Sequence, residues 1–234
     1  MDYQYLYAVI VAVVEGLTEF LPVSSTGHMI IVGNVLGFEG AVVDVFEVFI
    51  QFGAILSVLF IYGDRFYHFF TPDGWRLNRG FSAWHVGASC VPCMALAFFC
   101  YKYIKNLLFN PFTVAVGLVL GALLLFWAER QVAKKQNLVR DLDHMSLKQA
   151  LYVGLFQILS LWPGFSRSGS TIAGVMLVGL TREVSASFTF IMAVPIMFAA
   201  SLYDLYMHYK VLNSGDFAIL ALGFVVAGIV AYLS

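Results

Sequence analysis

Two carboxylates and an imidazole interrupt an apolar run near the start of the chain, in the segment E-G-L-T-E-F-L-P-V-S-S-T-G-H from Glu15 to His28. Each ionisable group held at membrane depth costs roughly 2.5–3.5 kcal/mol on insertion scales, so such groups indicate function. Glu15 and Glu19 are four residues apart, which puts both on one face of a helix. Pro22 is expected to stop that helix, and the cap-type residues after it begin another. The segment predicts a half-helix, a break and a second half-helix.

The composition places this segment in a membrane protein. Of the 234 residues, 61% are hydrophobic and 12% are charged, whereas a soluble domain carries about 25% charged residues. Several apolar runs approach the ~20 residues that cross hydrocarbon, and long runs such as Phe112–Trp127 lack the alternation of barrel strands. We therefore predict an all-α polytopic protein, one membrane domain over residues 1–234, in contact with the lipid bilayer. No basic stripe indicates nucleic-acid binding.

Neither a cleaved signal peptide nor a zinc or redox site on cysteines is expected. The first segment is expected to stay in the mature protein, because residues 1–14 have an acidic start, no basic region and no small-residue cleavage site. Cys90, Cys93 and Cys100 lie in one apolar segment without a second cysteine pair, so we predict packing thiols and no zinc or redox site.

The apolar segments predict about five to six transmembrane helices and two re-entrant broken helices. The first broken helix covers about 4–21 and 24–36, the second about 147–161 and 167–180, and the spans cover 45–63, 83–101, 111–129, 184–206 and 216–234.

A weak internal repeat relates the two broken helices. An offset of 142 residues places Glu15 over Gln157 and the run Ser24 to Gly27 over Ser166 to Gly169, with one residue of slippage at the prolines. We predict repeat one at about 1–130 and repeat two at about 143–234. The span at 111–129 would have its partner near 253–271, beyond Ser234, so we expect that a final helix has been removed; the alternative is a protein that works without one.

Basic residues predict the orientation of these repeats. We assume that each broken helix enters and leaves the membrane on the same side. Connections 64–82, 130–146 and 181–183, together with Lys148, then lie on one side of the membrane. That side holds nine Lys and Arg residues, against three on the other, namely Lys102, Lys105 and Lys210. The positive-inside rule makes the first side cytoplasmic, so the repeats are inverted and their tips are expected to meet near the midplane.

The second break, from Trp162 to Thr171, contains Pro and Gly followed by a serine-rich helix start. Helix amino termini bind anions favourably, and the planar guanidinium group of Arg167 can donate two parallel hydrogen bonds to phosphate oxygens. With Glu15, Glu19 and Arg167 ionised the charge sums to −1, which repels phosphate, whereas a divalent cation makes the sum +1. We therefore predict Mg²⁺ or Ca²⁺ on Glu15 and Glu19, and phosphoryl-transfer chemistry.

Both motifs closely resemble the two signature regions of the bacterial undecaprenyl-diphosphate phosphatase family, also called the bacitracin-resistance protein family. The similarity continues through F-E-V-F-I-Q-F-G-A-I at Phe46–Ile55 and over essentially all of the chain. The resemblance implies a multi-pass hydrolase of the bacterial inner (plasma) membrane, with a periplasm-facing site that converts C55 lipid diphosphate to the monophosphate. That reaction recycles the lipid carrier for the cell wall. The resemblance also implies dependence on a divalent cation, and family members normally have one more helix than this chain.

The predicted catalytic residues are Glu19, Ser25, His28 and Arg167. The nucleophile is left open among the Ser25 hydroxyl, the His28 imidazole and water, and His28 is also a candidate base for Ser25. Arg167 is expected to hold the transferring phosphoryl group. The predicted phosphate-binding residues are Ser24, Thr26, Ser166, Ser168, Gly169 and Ser170.

Plainer roles compete with these. Ser25 is also a helix cap, His28 a donor to a carbonyl, and Gln51 either a site contact or an interhelical hydrogen bond. A transporter or flippase of polyprenyl phosphate is the alternative to a phosphatase of polyprenyl diphosphate, since transporters share the inverted-repeat plan. A structural partner in an envelope complex leaves the buried charges unexplained. The sequence leaves homodimerisation open.

Overall fold

The computed structural model of the chain describes residues 2–108, 111–208 and 211–234. Lys210 lies outside these residues, and of Lys102 and Lys105 only the backbone is described. The structure therefore does not test these three positions of the charge count. The described helices are α1 Asp2–Thr18, α2 Ser25–Leu36, α3 Ala41–Ile61, α4 Gly63–Phe69, α5 Ala83–Leu108, α6 Pro111–Val132, α7 Leu147–Gln157, α8 Arg167–Leu177, α9 Arg182–His208 and α10 Asp216–Leu233.

Five of these helices are long and apolar enough to cross a membrane. The spanning segments are Ala41–Ile61, Ala83–Cys100, Phe112–Val132, Arg182–His208 and Asp216–Leu233. The described residues form no strand, only an isolated bridge between Val139 and Leu180. The prediction of an all-α multi-pass membrane protein is confirmed, with helix ends that differ from the predicted ones by a few residues. The short helix α4 was not predicted.

The first broken helix ends earlier than predicted. Helix α1 stops at Thr18, and Leu21 N–H donates to the Thr18 carbonyl at 3.2 Å in a tightened final turn. Pro22 is therefore not the residue at which the helix ends. The reason is that a proline also restricts the residue before it, so unwinding begins upstream. Glu19 N–H still donates to the Glu15 carbonyl at 2.9 Å, which keeps the two glutamates one turn apart.

The second broken helix follows the prediction more closely. Helix α7 begins at a capping box formed by Ser146 and Gln149, and a 3₁₀ turn over Ile158–Leu161 follows it. Gly164 has φ +86°, a left-handed conformation that favours glycine. Helix α8 then starts at Arg167 and ends at Leu177, three residues before the predicted end.

The chain forms two compact units. Unit 1 contains the described residues of Met1–Leu21, Ser25–Ile61 and Ala193–Ser234. Here helix α10 packs against α1 and α3 through glycines: a Cβ added at Gly53 would lie 2.4 Å from the Phe224 carbonyl oxygen. Since lipid supplies no hydrophobic drive between helices, such close van der Waals contact holds the unit together.

Unit 2 contains Pro22–Ser24 and the described residues of Tyr62–Met192. Helix α7 packs against α5 and α8, and α8 packs against α6. The second break is fixed to α6, because Trp162 Nε1–H donates to the Thr113 carbonyl at 2.9 Å and a Cβ on Gly117 would meet the Pro163 carbonyl oxygen.

Ion pairs join the connections of unit 2. Arg65 Nη1 lies 2.7 Å from Asp143 Oδ1, and Arg182 Nη1 lies 2.9 Å from Glu129 Oε1. A backbone N–H of Thr181 donates to the Val139 carbonyl at 3.0 Å. Of the three connections that the charge analysis put on one side, 130–146 thus contacts both 64–82 and 181–183.

Candidate active site

The first motif places two carboxylates inside unit 1. Glu15 is completely buried and Glu19 is 6% exposed. Burial of two acids one turn apart is costly without a compensating ligand or hydrogen bonds, since each ionised group loses its hydration. One such compensation is visible: Ser25 Oγ donates to Glu19 Oε2 at 2.5 Å, and Ser25 is itself 7% exposed. A hydrogen bond this short between a hydroxyl and a carboxylate is charge-assisted.

The break between α1 and α2 creates this contact. Ser24 has φ +63°, which is uncommon for a residue other than glycine, and it turns the chain immediately before Ser25 begins α2. Helices α1 and α2 then pack against each other. Ser25, the first residue of α2, is thereby brought to Glu19, the residue that follows the end of α1.

Thr26 and His28 are exposed, whereas Ser25 is buried. Gln51 Nε2 donates to Thr26 Oγ1 at 3.3 Å, so the interhelical hydrogen bond considered for Gln51 is formed, and it reaches a predicted site residue. The hydroxyl of Ser25 donates to a carboxylate and not to the imidazole of His28. This geometry favours Glu19 over His28 as the proton acceptor for Ser25.

The second motif forms the start of α8 in unit 2. Ser166 is the N-cap: its hydroxyl accepts from Gly169 N–H at 3.1 Å and lies 3.1 Å from Ser168 Oγ. Arg167 is the first residue of the helix and is partly buried. A cation at a helix amino terminus meets the positive end of the helix dipole, which is unfavourable unless an anion is present. An anion site at this helix start stays a prediction.

Ser170 differs from its neighbours in the second motif. Its hydroxyl donates to the Arg167 carbonyl at 2.9 Å, and its backbone N–H donates to the Ser166 carbonyl at 2.9 Å. Both donor groups are used inside the helix. A phosphate contact of Ser170 stays a prediction, and in this geometry it would require the hydroxyl to rotate away from its backbone partner.

Part of the first motif belongs to unit 2. The break segment Pro22–Ser24 clusters with the residues of this unit, and a Cβ added at Gly169 would lie 3.5 Å from Pro22 Cβ. The break of the first motif is thus packed on the helix start of the second motif. The resulting polar region of unit 2 includes the buried hydroxyls of Ser24, Ser166 and Ser168.

The residues present fit a hard divalent cation that is only partly held by protein. Among the described residues no group of three or more His, Cys, Asp and Glu side chains could hold a metal ion. The predicted donors are the two carboxylates of Glu15 and Glu19, one turn apart. Mg²⁺ commonly takes one or two carboxylates and completes its oxygen shell with water and substrate phosphate. The donor set is consistent with that mode.

Sequence reasoning gave too little weight to Glu47. This residue lies inside the spanning segment Ala41–Ile61, and a Cβ added at Gly33 of α2 would lie 3.8 Å from Glu47 Oε1. In the sequence, Glu47 stands within the run F-E-V-F-I-Q-F-G-A-I that carries the resemblance. The signal was available, because an acid in an apolar span is by default a candidate for function.

Comparison with known proteins identifies the chain. The sequence model of the family described as "Bacitracin resistance protein BacA" matches residues 8–234. This chain belongs to the BacA family. A curated relative from Solidesulfovibrio magneticus, named undecaprenyl-diphosphatase, is 44% identical over 230 residues, which are 98% of this chain and 86% of the relative. Both motifs and the buried Ser25–Glu19 contact lie inside the region matched to the BacA family, so the family predicted from the motifs is confirmed.

Proposed function

We propose that the protein is an integral membrane phosphatase that hydrolyses undecaprenyl diphosphate to undecaprenyl phosphate and inorganic phosphate. The observation that carries this proposal is the buried hydrogen bond from Ser25 Oγ to Glu19 Oε2, a hydroxyl paired with a base at 2.5 Å. A nucleophile within hydrogen-bond reach of a base is the arrangement that covalent catalysis needs. The name of the 44% identical relative supplies the substrate.

In the first step, Ser25 Oγ attacks the terminal phosphorus and its proton passes to Glu19. The bond from that phosphorus to the bridging oxygen breaks, and the polyprenyl monophosphate leaves with the proton held on Glu19. In the second step, water attacks the phosphoserine, the bond from phosphorus to Ser25 Oγ breaks, and Glu19 returns its proton to Ser25 Oγ. The water oxygen stays on the released inorganic phosphate with one of its protons, and the other proton passes to solvent. Glu19 is the base because its carboxylate already accepts the hydroxyl proton.

The second motif has an electrostatic role in this proposal. Arg167 and the amino terminus of α8 stabilise the negative charge that spreads over the phosphoryl oxygens in the transition state. Ser166 and Ser168 position the phosphate, together with Gly169 and with Ser24 and Thr26 of the first motif. The support for assigning both motifs to the same substrate is that both lie within the region matched to the BacA family.

Glu15 and Glu19 would hold the divalent cation, Mg²⁺ or Ca²⁺. When bound, such an ion neutralises charge on the diphosphate and polarises its oxygens. Glu15 is completely buried one turn from Glu19, and in this proposal its carboxylate is the second protein ligand of the cation.

The site is proposed to face the periplasm from the bacterial inner membrane. The support is the contact between the three arginine- and lysine-rich connections of unit 2, which the positive-inside rule assigns to the cytoplasm. The substrate headgroup then enters from the opposite side. A homodimer stays possible, and size-exclusion chromatography with light scattering of the purified protein in detergent measures the oligomeric state.

The decisive experiment measures inorganic phosphate release from a polyprenyl diphosphate by the purified full chain in detergent. The protein should release phosphate there, where a transporter has no second compartment and would release none. Ser25→Ala should abolish release, whereas Ser201→Ala should not. Ser201 is a matched control, since it is equally buried and its hydroxyl bonds only the Val48 carbonyl.

Rapid-quench labelling with a substrate carrying labelled terminal phosphate identifies the nucleophile. We expect an acid-stable phosphoserine at Ser25. An acid-labile phosphohistidine at His28 would replace Ser25 as the nucleophile, and a fully active enzyme without any phosphoenzyme would favour direct attack by water.

A further inference from the structure

Unit 2 contains a polar cleft whose lining residues lie outside both motifs. The cleft has a volume of about 220 Å³. Its polar lining consists of Tyr62, Arg65, Arg140, Asp141, Glu183 and Ser187. We refer to these six residues as the interfacial cleft.

The position of the interfacial cleft matches the level of lipid headgroups. Tyr62 directly follows the spanning segment that ends at Ile61, and Glu183 lies in the first turn of the spanning helix Arg182–His208. The cleft thus opens where two hydrophobic segments end. Tyrosine is enriched at this level because its ring is apolar and its hydroxyl is polar, and Tyr62 OH donates to Ser187 Oγ at 3.1 Å.

The interfacial cleft contains both cationic and anionic side chains. Two arginines face two carboxylates, and Arg65 is already bound by Asp143 at 2.7 Å and lies 4.0 Å from Asp141. Arg140 and Glu183 are exposed. Since Asp143 pairs with Arg65, the lining offers one further cation, Arg140, beside the carboxylates of Asp141 and Glu183, and it has no net positive charge with which to select a net anion.

We propose that the interfacial cleft binds the headgroup of a zwitterionic phospholipid with a primary amine, of the phosphatidylethanolamine class. The phosphate lies toward Arg140, and the ammonium group donates to Glu183 and Asp141. A choline headgroup has no N–H to donate to these carboxylates, and a glycerol headgroup leaves the lipid with a net negative charge. The chemistry of the cleft therefore discriminates among headgroups with the same phosphate.

The test is native mass spectrometry of the delipidated full chain with phosphatidylethanolamine, phosphatidylcholine and phosphatidylglycerol of identical acyl chains. We expect phosphatidylethanolamine to bind roughly five- to tenfold more tightly than the other two, the difference made by a charge-assisted hydrogen bond. Arg140→Gln and Glu183→Gln should each remove this preference. Arg76→Gln should keep it, because Arg76 is an equally exposed arginine that pairs with Asp73 away from the cleft.

Several results would overturn the proposal. Equal binding of phosphatidylethanolamine and phosphatidylcholine by the wild-type protein would do so, as would a preference that survives both cleft substitutions. Stronger binding of phosphatidylglycerol would mean a general anionic-lipid surface. Displacement of the lipid by an equal concentration of glycerophosphoethanolamine, which lacks acyl chains, would mean a soluble ligand. Unchanged phosphate release by the cleft variants would show that they are folded.

Discussion

The two broken elements of this protein share a plan and differ in chemistry. Each has a half-helix, a break with one left-handed residue, and a second half-helix that starts at a serine-rich run. At the repeat offset, however, Glu15 corresponds to Gln157 and Ser25 corresponds to Arg167. One element retains acids and a hydroxyl bonded to one of them, and the other retains a guanidinium at a helix start. In the proposed mechanism the first element is therefore the reactive half of the site, and the second element is the electrostatic half.

The largest expected effect comes from the electrostatic half. Arg167→Ala should lower kcat/KM by about 10³-fold or more, the range seen when an arginine that stabilises a transferring phosphoryl group is removed. Arg167→Lys should recover only part of this loss, because an ammonium group cannot donate two parallel hydrogen bonds. Arg182→Ala is the control, since Arg182 pairs with Glu129 on the predicted cytoplasmic side. Steady-state phosphate release checks the prediction, and equal activity of Arg167→Lys and wild type would remove the bidentate role.

The next effect comes from the reactive half. Glu19→Gln should lower kcat by about 10²- to 10⁴-fold, as expected for loss of a general base. Adding Ser25→Ala to Glu19→Gln should cause little further loss, because the two residues act as a unit joined by one hydrogen bond. Independent, multiplying losses in the double variant would contradict the paired mechanism.

Metal removal tests whether Glu15 binds a cation, which its counterpart Gln157 in the second element is not expected to do. Chelation should abolish phosphate release by the wild type, and Mg²⁺ or Ca²⁺ should restore it. Glu15→Gln, which makes the first element resemble the second, should raise the metal concentration needed for half-maximal activity by about tenfold or more. A variant with an unchanged metal requirement would place the cation elsewhere.

The converse substitution tests the second element. Gln157 is completely buried, and within the described residues its amide atoms have no hydrogen-bond partner. Gln157→Glu would bury an uncompensated carboxyl group, so we expect a loss of about 3 kcal/mol in the free energy of unfolding. Thermal unfolding in detergent measures it. Gln157→Met is the control, and it should be neutral or stabilising, because it removes unsatisfied polar atoms from the interior.

The smallest effect concerns the connections of unit 2. Burial raises the pKa of the Asp143 carboxyl, but hydrogen bonds from Arg65 and from Phe81 N–H outweigh it, so the pKa lies below its usual value of 3.8. A lowered pKa in the folded state contributes stability above the unfolded-state pKa, and this is lost as the pH falls through the folded-state pKa. Because the pair is partly exposed, the contribution is under about 1 kcal/mol. Asp143→Asn should be less stable than wild type at pH 7, and the difference should shrink below about pH 4.

The sequence predicted the fold well where single residues dominate the local physics. The spanning segments follow from apolar length, and the second break follows from Pro163 and Gly164. The first break was placed less well, because the effect of Pro22 extends to the turn before it and Ser24 adopts a left-handed conformation that no residue pattern indicated. The partner of Ser25 was also beyond the sequence: His28 has helical spacing to Ser25, whereas Glu19 reaches it only through the shape of the break.

The glycine contacts of helix α10 have a consequence for biosynthesis. Helices α1 and α3 emerge from the ribosome early, yet the surface that Gly16 and Gly53 offer is filled only by residues after Asp216. At usual rates of translation, roughly ten to thirty seconds separate these events. During that interval the helices of unit 1 already made are in the bilayer without α10, and we expect lipid to cover the surfaces at Gly16 and Gly53. Completion of the part of the protein that carries Ser25 and Glu19 is therefore a late, post-insertion event.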